Sequence, residues 1–193
     1  MAVTTRTEID VDTATGLLAD ARQVLSPNCD DRPNGCQPDL IIIHGISLPP
    51  GEFGGPYIDQ FFTNCLAQDE HEYFSEIVGL RVSAHLVIRR DGELVQYVPV
   101  HRRAWHAGES CFERRHACND YSVGIELEGV DDEHYEDTQY SKLAALVAAL
   151  LKAYPSLSSQ RIVGHSDVSS GRKTDPGPAF DWEHFGRLLH QRM

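Results

Sequence analysis

The sequence predicts a mixed α/β (α+β) fold, with a central mixed β-sheet flanked by α-helices in one domain. Three observations carry this prediction. Residues 82–98 hold two β-branched runs joined by a tight turn, residues 122–128 alternate strictly, and residues 138–154 repeat apolar side chains at three- and four-residue steps. A length of 193 residues suits one substantial core and is short for two. The reading is therefore a single domain over 1–193, with its motif-bearing core at about 39–193 and an N-terminal segment and loop at 1–38.

Taken in order, residues 26–38 are dense in turn formers (Pro27, Asp30, Asp31, Pro33, Asn34, Gly35, Pro38) and read as a loop. The run Asp39-Leu40-Ile41-Ile42-Ile43 then reads as a buried strand that ends at His44-Gly45. Pro49, Pro50, Gly51, Gly54, Gly55 and Pro56 make 47–56 a second loop. Around Asp91-Gly92, the runs 82–88 and 94–98 form a hairpin signal. On 122–128, Val123, Ile125 and Leu127 share one face and Gly124, Glu126 and Glu128 the other, which predicts a half-buried strand. Leu143, Leu146, Val147, Leu150, Leu151 and Tyr154 form the stripe of an amphipathic helix stopped by Pro155. Residues 161–164 read as a short strand delivering His165, and 182–189 as a last helix capped by Asp181.

Charge and cysteines exclude some partners. Lys and Arg number 17 against 29 Asp and Glu, a formal charge of −12. That balance argues against nucleic acid or an anionic membrane as the main partner, though a few local cations can still hold an acidic small molecule. Neither a basic-then-apolar export signal nor an apolar run near the roughly 20 residues of a membrane span is visible, so the expected location is cytoplasmic. Five cysteines, an odd number, suit reduced thiols. Cys29/Cys36 and Cys111/Cys118 share a spacing, but six intervening residues is not the short knuckle of a thiolate zinc site, so incidental thiols are the better reading.

Three polar residues sit where a core pattern does not want them. His44 and His165 each end an apolar strand, and Asp175 lies in the 171–178 loop between Thr174 and Pro176. Two imidazoles and a carboxylate suit a catalytic zinc site with a fourth position for water. Each His alone is more often a hydrogen-bonded loop residue, and the three are not close in sequence. Glu126 adds weight, because Gly124 beside it clears space and a carboxylate near such water can move its proton. Its bland reading is a solvated face shared with Glu128. Lys173 is either a surface lysine or an oxyanion donor. Trp105 is either a core residue or a wall on which a sugar stacks.

These blocks together resemble a known family. Residues 43–56, 81–85, 103–108, 122–129 and 164–178 are similar, in the same order, to the cytoplasmic 1,6-anhydro-N-acetylmuramyl-L-alanine amidases of the zinc amidase and peptidoglycan recognition protein superfamily. The resemblance runs from about Asp39 to the C-terminus. It implies the type 2 N-acetylmuramoyl-L-alanine amidase fold, one Zn2+ on His44, His165 and Asp175, Glu126 as acid/base and Lys173 as oxyanion stabiliser. It implies hydrolysis of the lactyl–L-alanine amide of small muropeptides in cell-wall recycling, with a lowered signal for β-lactamase induction. Trp105 would recognise the sugar and Arg81 a peptide carboxylate, in a monomer. Gly45 departs from the family, where Asn is frequent, and the stretch 111–117 matches no pattern, so a part for Arg114 or Arg115 stays open. Rival readings are an amidase of intact wall, a receptor without catalysis, and a metal-free protein with structural histidines.

Overall fold

A computed structural model describes residues 8–33 and 35–193. The part of the export-signal reading that rests on residues 1–7 lies outside them. Six strands form the central sheet: Arg22–Gln23 (β1), Leu40–Ile46 (β2), Leu86–Ile88 (β3), Leu94–Gln96 (β4), Ser122–Glu128 (β5) and Ile162–Gly164 (β6). Their spatial order is β6-β2-β5-β3-β4-β1. β6, β2, β5 and β3 run parallel, β4 is antiparallel to β3, and β1 is parallel to β4. The sheet is mixed, as predicted.

β2 is central and covered on both faces, which is why it reads as a continuous apolar run. Ile41 and Ile43 enter the larger core, whereas Leu40 and Ile42 face a smaller cluster with Tyr121 and Val168. The hairpin is shorter than its sequence signal. His85 bends the chain, its carbonyl accepting from both Tyr97 N and Val98 N, so pairing starts at Leu86↔Gln96.

Helices Tyr57–Phe62 (α1), Phe74–Ile77 (α2), Asp137–Ala153 (α3), His165–Val168 (α4) and Trp182–His190 (α5) complete the frame. The predicted stripe of α3 buries Leu143, Leu146, Val147 and Leu150. Its first turn is closed by Glu136 N donating to Gln139 Oε1 at 3.0 Å. Asp181 caps α5 as expected, accepting from His184 N at 2.8 Å. No helix among the described residues is long and apolar enough to cross a membrane.

The strand 122–128 corrects an expectation. All seven residues of β5 are buried, not one face only. Val123, Ile125 and Leu127 pack with α3 in the larger core. The polar face is covered as well, by side chains that come from far along the chain.

Candidate active site

The parallel strands end on one side, and the polar residues collect there. Glu126 and His44 are register partners across β5 and β2, and Gly164 pairs with Ile43, so His165 follows at the same level. Ligand sites of parallel sheets sit outside the carboxyl ends of the strands. Asp175 returns through the loop after α4, where Ser166 N donates to the Asp175 carbonyl at 3.0 Å.

The three donor atoms form a small triangle. His44 Nδ1 lies 3.0 Å from His165 Nδ1, His165 Nδ1 lies 3.0 Å from Asp175 Oδ2, and His44 Nδ1 lies 3.3 Å from Asp175 Oδ2. Donors about 2.0–2.2 Å from one tetrahedral ion stand roughly 3.2–3.6 Å apart, so the edges are near those of a metal site. Both histidines are buried. His165 Nε2 donates to the Ala107 carbonyl at 3.2 Å, which leaves its Nδ1 a lone pair. Burial pushes His44 down to about 4. Burial opposes ionisation of Asp175, but the His165 and His44 rings set against its carboxylate outweigh that burial and hold the carboxyl below its usual range. Near neutral pH, His44 is therefore neutral and Asp175 ionised, the forms that ligate a cation. Imidazole lone pairs and a carboxylate oxygen at these separations repel unless a cation lies between them. The donor set fits a metal ion, and among the described residues it is the one cluster that does.

Glu126 stands beside the triangle, with Oε1 4.0 Å from His44 Nδ1. Its Oε2 is buried with no hydrogen-bond partner. Burial first, and the Asp175 charge second, hold its carboxyl well above the usual range. A groove of about 680 Å³ opens over these residues. Phe61, Tyr73, Ile77 and Leu80 form an apolar wall, while Asp131, Asp132 and the exposed Lys173 line the polar side.

The structure thus brings His44, His165, Asp175, Glu126 and Lys173 to one groove. It does not bring Trp105 or Arg81 into the lining. Trp105 is half-buried, its indole N–H donating to Asp30 Oδ1 at 3.1 Å, and its neighbour His106 faces the groove instead. Arg81 is exposed between Leu80 and Val82, two residues that do line it. Arg115 is committed to Asp39 at 2.6 Å and lies over the Tyr121 ring. All five cysteines are free.

Two residues escaped sequence reasoning. Gly124 does mark a close approach, but of His106: a Cβ there would lie 2.5 Å from the imidazole, so the space is His106's rather than Glu126's. Tyr135 is the second. Its buried hydroxyl donates to the Pro176 carbonyl at 2.9 Å, next to Asp175. A Cβ at Gly45 would meet that hydroxyl at 2.5 Å, and one at Gly129 would meet the ring at 2.4 Å. The residue after the first donor is glycine because Tyr135 fills the place of its side chain.

Comparison with known proteins bears on this arrangement. The 1,6-anhydro-N-acetylmuramyl-L-alanine amidase AmpD of Escherichia coli (strain K12) is 55% identical over 174 residues, 90% of this chain and 94% of the relative. A crystal structure of a selenomethionine AmpD derivative superposes with a TM-score of 0.90 at 53% identity, covering 93% of this chain and 99% of that one. The solution structure of Citrobacter freundii AmpD gives a TM-score of 0.67 at 52% identity, covering 95% and 97%. The N-acetylmuramoyl-L-alanine amidase family matches residues 34–178, the stretch that carries every donor of the triangle together with Glu126 and Lys173. With that match added to the mixed sheet, the chain belongs to the N-acetylmuramoyl-L-alanine amidase family.

Proposed function

We propose that this chain, as one amidase domain over 1–193, hydrolyses the amide between the lactyl group of 1,6-anhydro-N-acetylmuramic acid and L-alanine in small cytoplasmic muropeptides. The observation that carries the reading is the donor triangle with edges of 3.0–3.3 Å, set beside a buried carboxyl group that lines the same groove. His44, His165 and Asp175 would hold one zinc ion. Bound there, zinc would supply a Lewis acid for the scissile carbonyl and lower the pKa of water.

The chain's own residues do the remainder. Glu126, whose Oε1 lies 4.0 Å from His44 Nδ1, takes a proton from the attacking water and returns it to the alanine nitrogen as that bond breaks. Its raised pKa suits both halves of the transfer, since a carboxyl that holds its proton more tightly is the better base. Lys173 offers an ammonium to the developing oxyanion. The apolar wall of Phe61, Tyr73, Ile77 and Leu80 takes the sugar, the part first assigned to Trp105. Arg81, exposed at the rim, takes a carboxylate of the peptide. The protein acts as a monomer in wall recycling, and removal of these fragments lowers the signal for β-lactamase induction.

The test is release of free peptide from purified anhydromuramyl-tripeptide. Turnover by wild type that stops on chelation and returns with zinc is the expected result. No turnover by the zinc-loaded protein would overturn the reading in favour of a receptor. Faster release from intact wall would replace the substrate and keep the reaction.

A further inference from the structure

The Cys118 carbonyl can only accept a hydrogen bond, and it begins a chain whose direction follows from that. Ser122 Oγ lies 2.6 Å from it and so spends its one proton there. The same oxygen lies 3.1 Å from His106 Nε2, a contact that now needs the proton on the ring nitrogen. His106 Nδ1 is then the acceptor, and it lies 2.9 Å from His44 Nε2. His44 carries its proton on Nε2, and its Nδ1 lone pair points at His165 Nδ1 and Asp175 Oδ2.

From this geometry we propose that His106 is a positioning residue: with Ser122 behind it, it selects the His44 tautomer whose Nδ1 binds the metal. The inference rests on the zinc reading given above. The surroundings of His106 are built for it. Its own backbone N–H and that of Ala107 both donate to Asn119 Oδ1, at 3.1 and 2.8 Å, which fixes the segment. Gly124 leaves room for the ring where any Cβ would collide with it. The groups facing the ring are His44, His85 and Ser122, with the Arg32 charge beyond, and no carboxylate touches it among the described residues to favour a second proton. The adjoining Ala107 carbonyl takes the Nε2 proton of His165. One two-residue segment therefore orients both imidazole donors.

The experiment compares zinc affinity by chelator competition from the holoenzyme in wild type, His44→Ala, His106→Ala, His106→Gln and Ser122→Ala. A long-range proton–nitrogen-15 spectrum of the wild-type imidazoles accompanies it. His106→Ala should weaken zinc binding about 10–100-fold, the usual cost of losing a partner behind a metal-bound histidine. His106→Gln should recover most of that, because its amide oxygen accepts from His44 and its N–H donates to Ser122. Ser122→Ala should lose less, and the spectrum should show His106 protonated on Nε2 alone. Wild-type affinity in His106→Ala, or a proton on His106 Nδ1 in the spectrum, would overturn the proposal. Absence of one zinc per wild-type chain would overturn the zinc reading instead, and the spectrum of wild type would still decide the tautomer. A variant that fails to fold leaves the spectrum as the deciding measurement.

Discussion

The two faces of β5 are buried alike and built by opposite rules. On one face, Val123, Ile125 and Leu127 meet the apolar stripe of α3. On the other, Gly124 takes the His106 ring, Glu126 borders the donor triangle, and Glu128 accepts from Gly54 N, Arg89 Nη1 and Arg90 N at 2.7, 3.0 and 3.1 Å. Apolar burial is non-directional, so the first face tolerates apolar side chains of suitable volume. Each buried polar group on the second needs a placed partner, and Glu126 Oε2 alone on that face has none. On the reading proposed above, Glu126 is the member of this face that moves a proton, and it is also the one left without a full set of partners.

Four measurements break or sharpen that contrast. The largest effect belongs to Glu126→Ala, which should lower turnover about 10²–10⁴-fold in the peptide-release assay, the range for a lost general acid/base. Zinc content and thermal midpoint should hold, because no buried partner is orphaned. A matching loss of stability would mean that Glu126 is structural. Next is Glu128→Ala, which strips a partner from the buried Arg89 and should cost about 3–5 kcal/mol in urea unfolding. A cost near zero would erase the difference between satisfied and unsatisfied members of the face. Across the strand, Leu146→Ala should cost about 2–5 kcal/mol through the cavity it leaves, with kcat of the folded protein unchanged. If kcat fell with stability, the two faces would be coupled.

The smallest effect is a pH slope. His85 is fully buried on the neighbouring segment, and its Nδ1 accepts from Gly124 N at 3.0 Å. Burial first, and the Arg32 charge second, lower it to about 3. Its unfolded value is about 6.5, so between these values the unfolded chain binds more protons than the folded one. Stability from this group is complete above pH about 6.5 and falls as pH drops toward 3, by up to about 1.4 kcal/mol per pH unit. Urea midpoints at pH 7.5 and 5 should differ less in His85→Gln than in wild type. An unchanged difference would assign the acid sensitivity elsewhere.

What sequence reasoning could and could not see follows the same division. Helix α3 runs for 17 residues and its apolar stripe repeats several times, so its period is legible, as is the Asp181 cap. Helices α1 and α2, of six and four residues, are too short to show a period. Alternation on β5 revealed which side chains share a face. It was silent on what covers them, because Gly54, Arg89 and His106 arrive from distant segments. Gly124 was read as a sign of close approach, and the contact proved to be His106 rather than anything beside Glu126.

By itself, the sequence determined the class of fold, the order of its main elements and the residue types able to hold a metal and move a proton. Those depend on local period, on turn formers and on the chemistry of single side chains. Only the tertiary structure decided that His44, His165 and Asp175 converge within 3.0–3.3 Å, that Tyr135 occupies the space beside Gly45, and that Trp105 turns away to Asp30 while His106 turns in. The register of parallel strands set that convergence. Parallel pairing joins segments separated by long crossovers, and no local pattern encodes it.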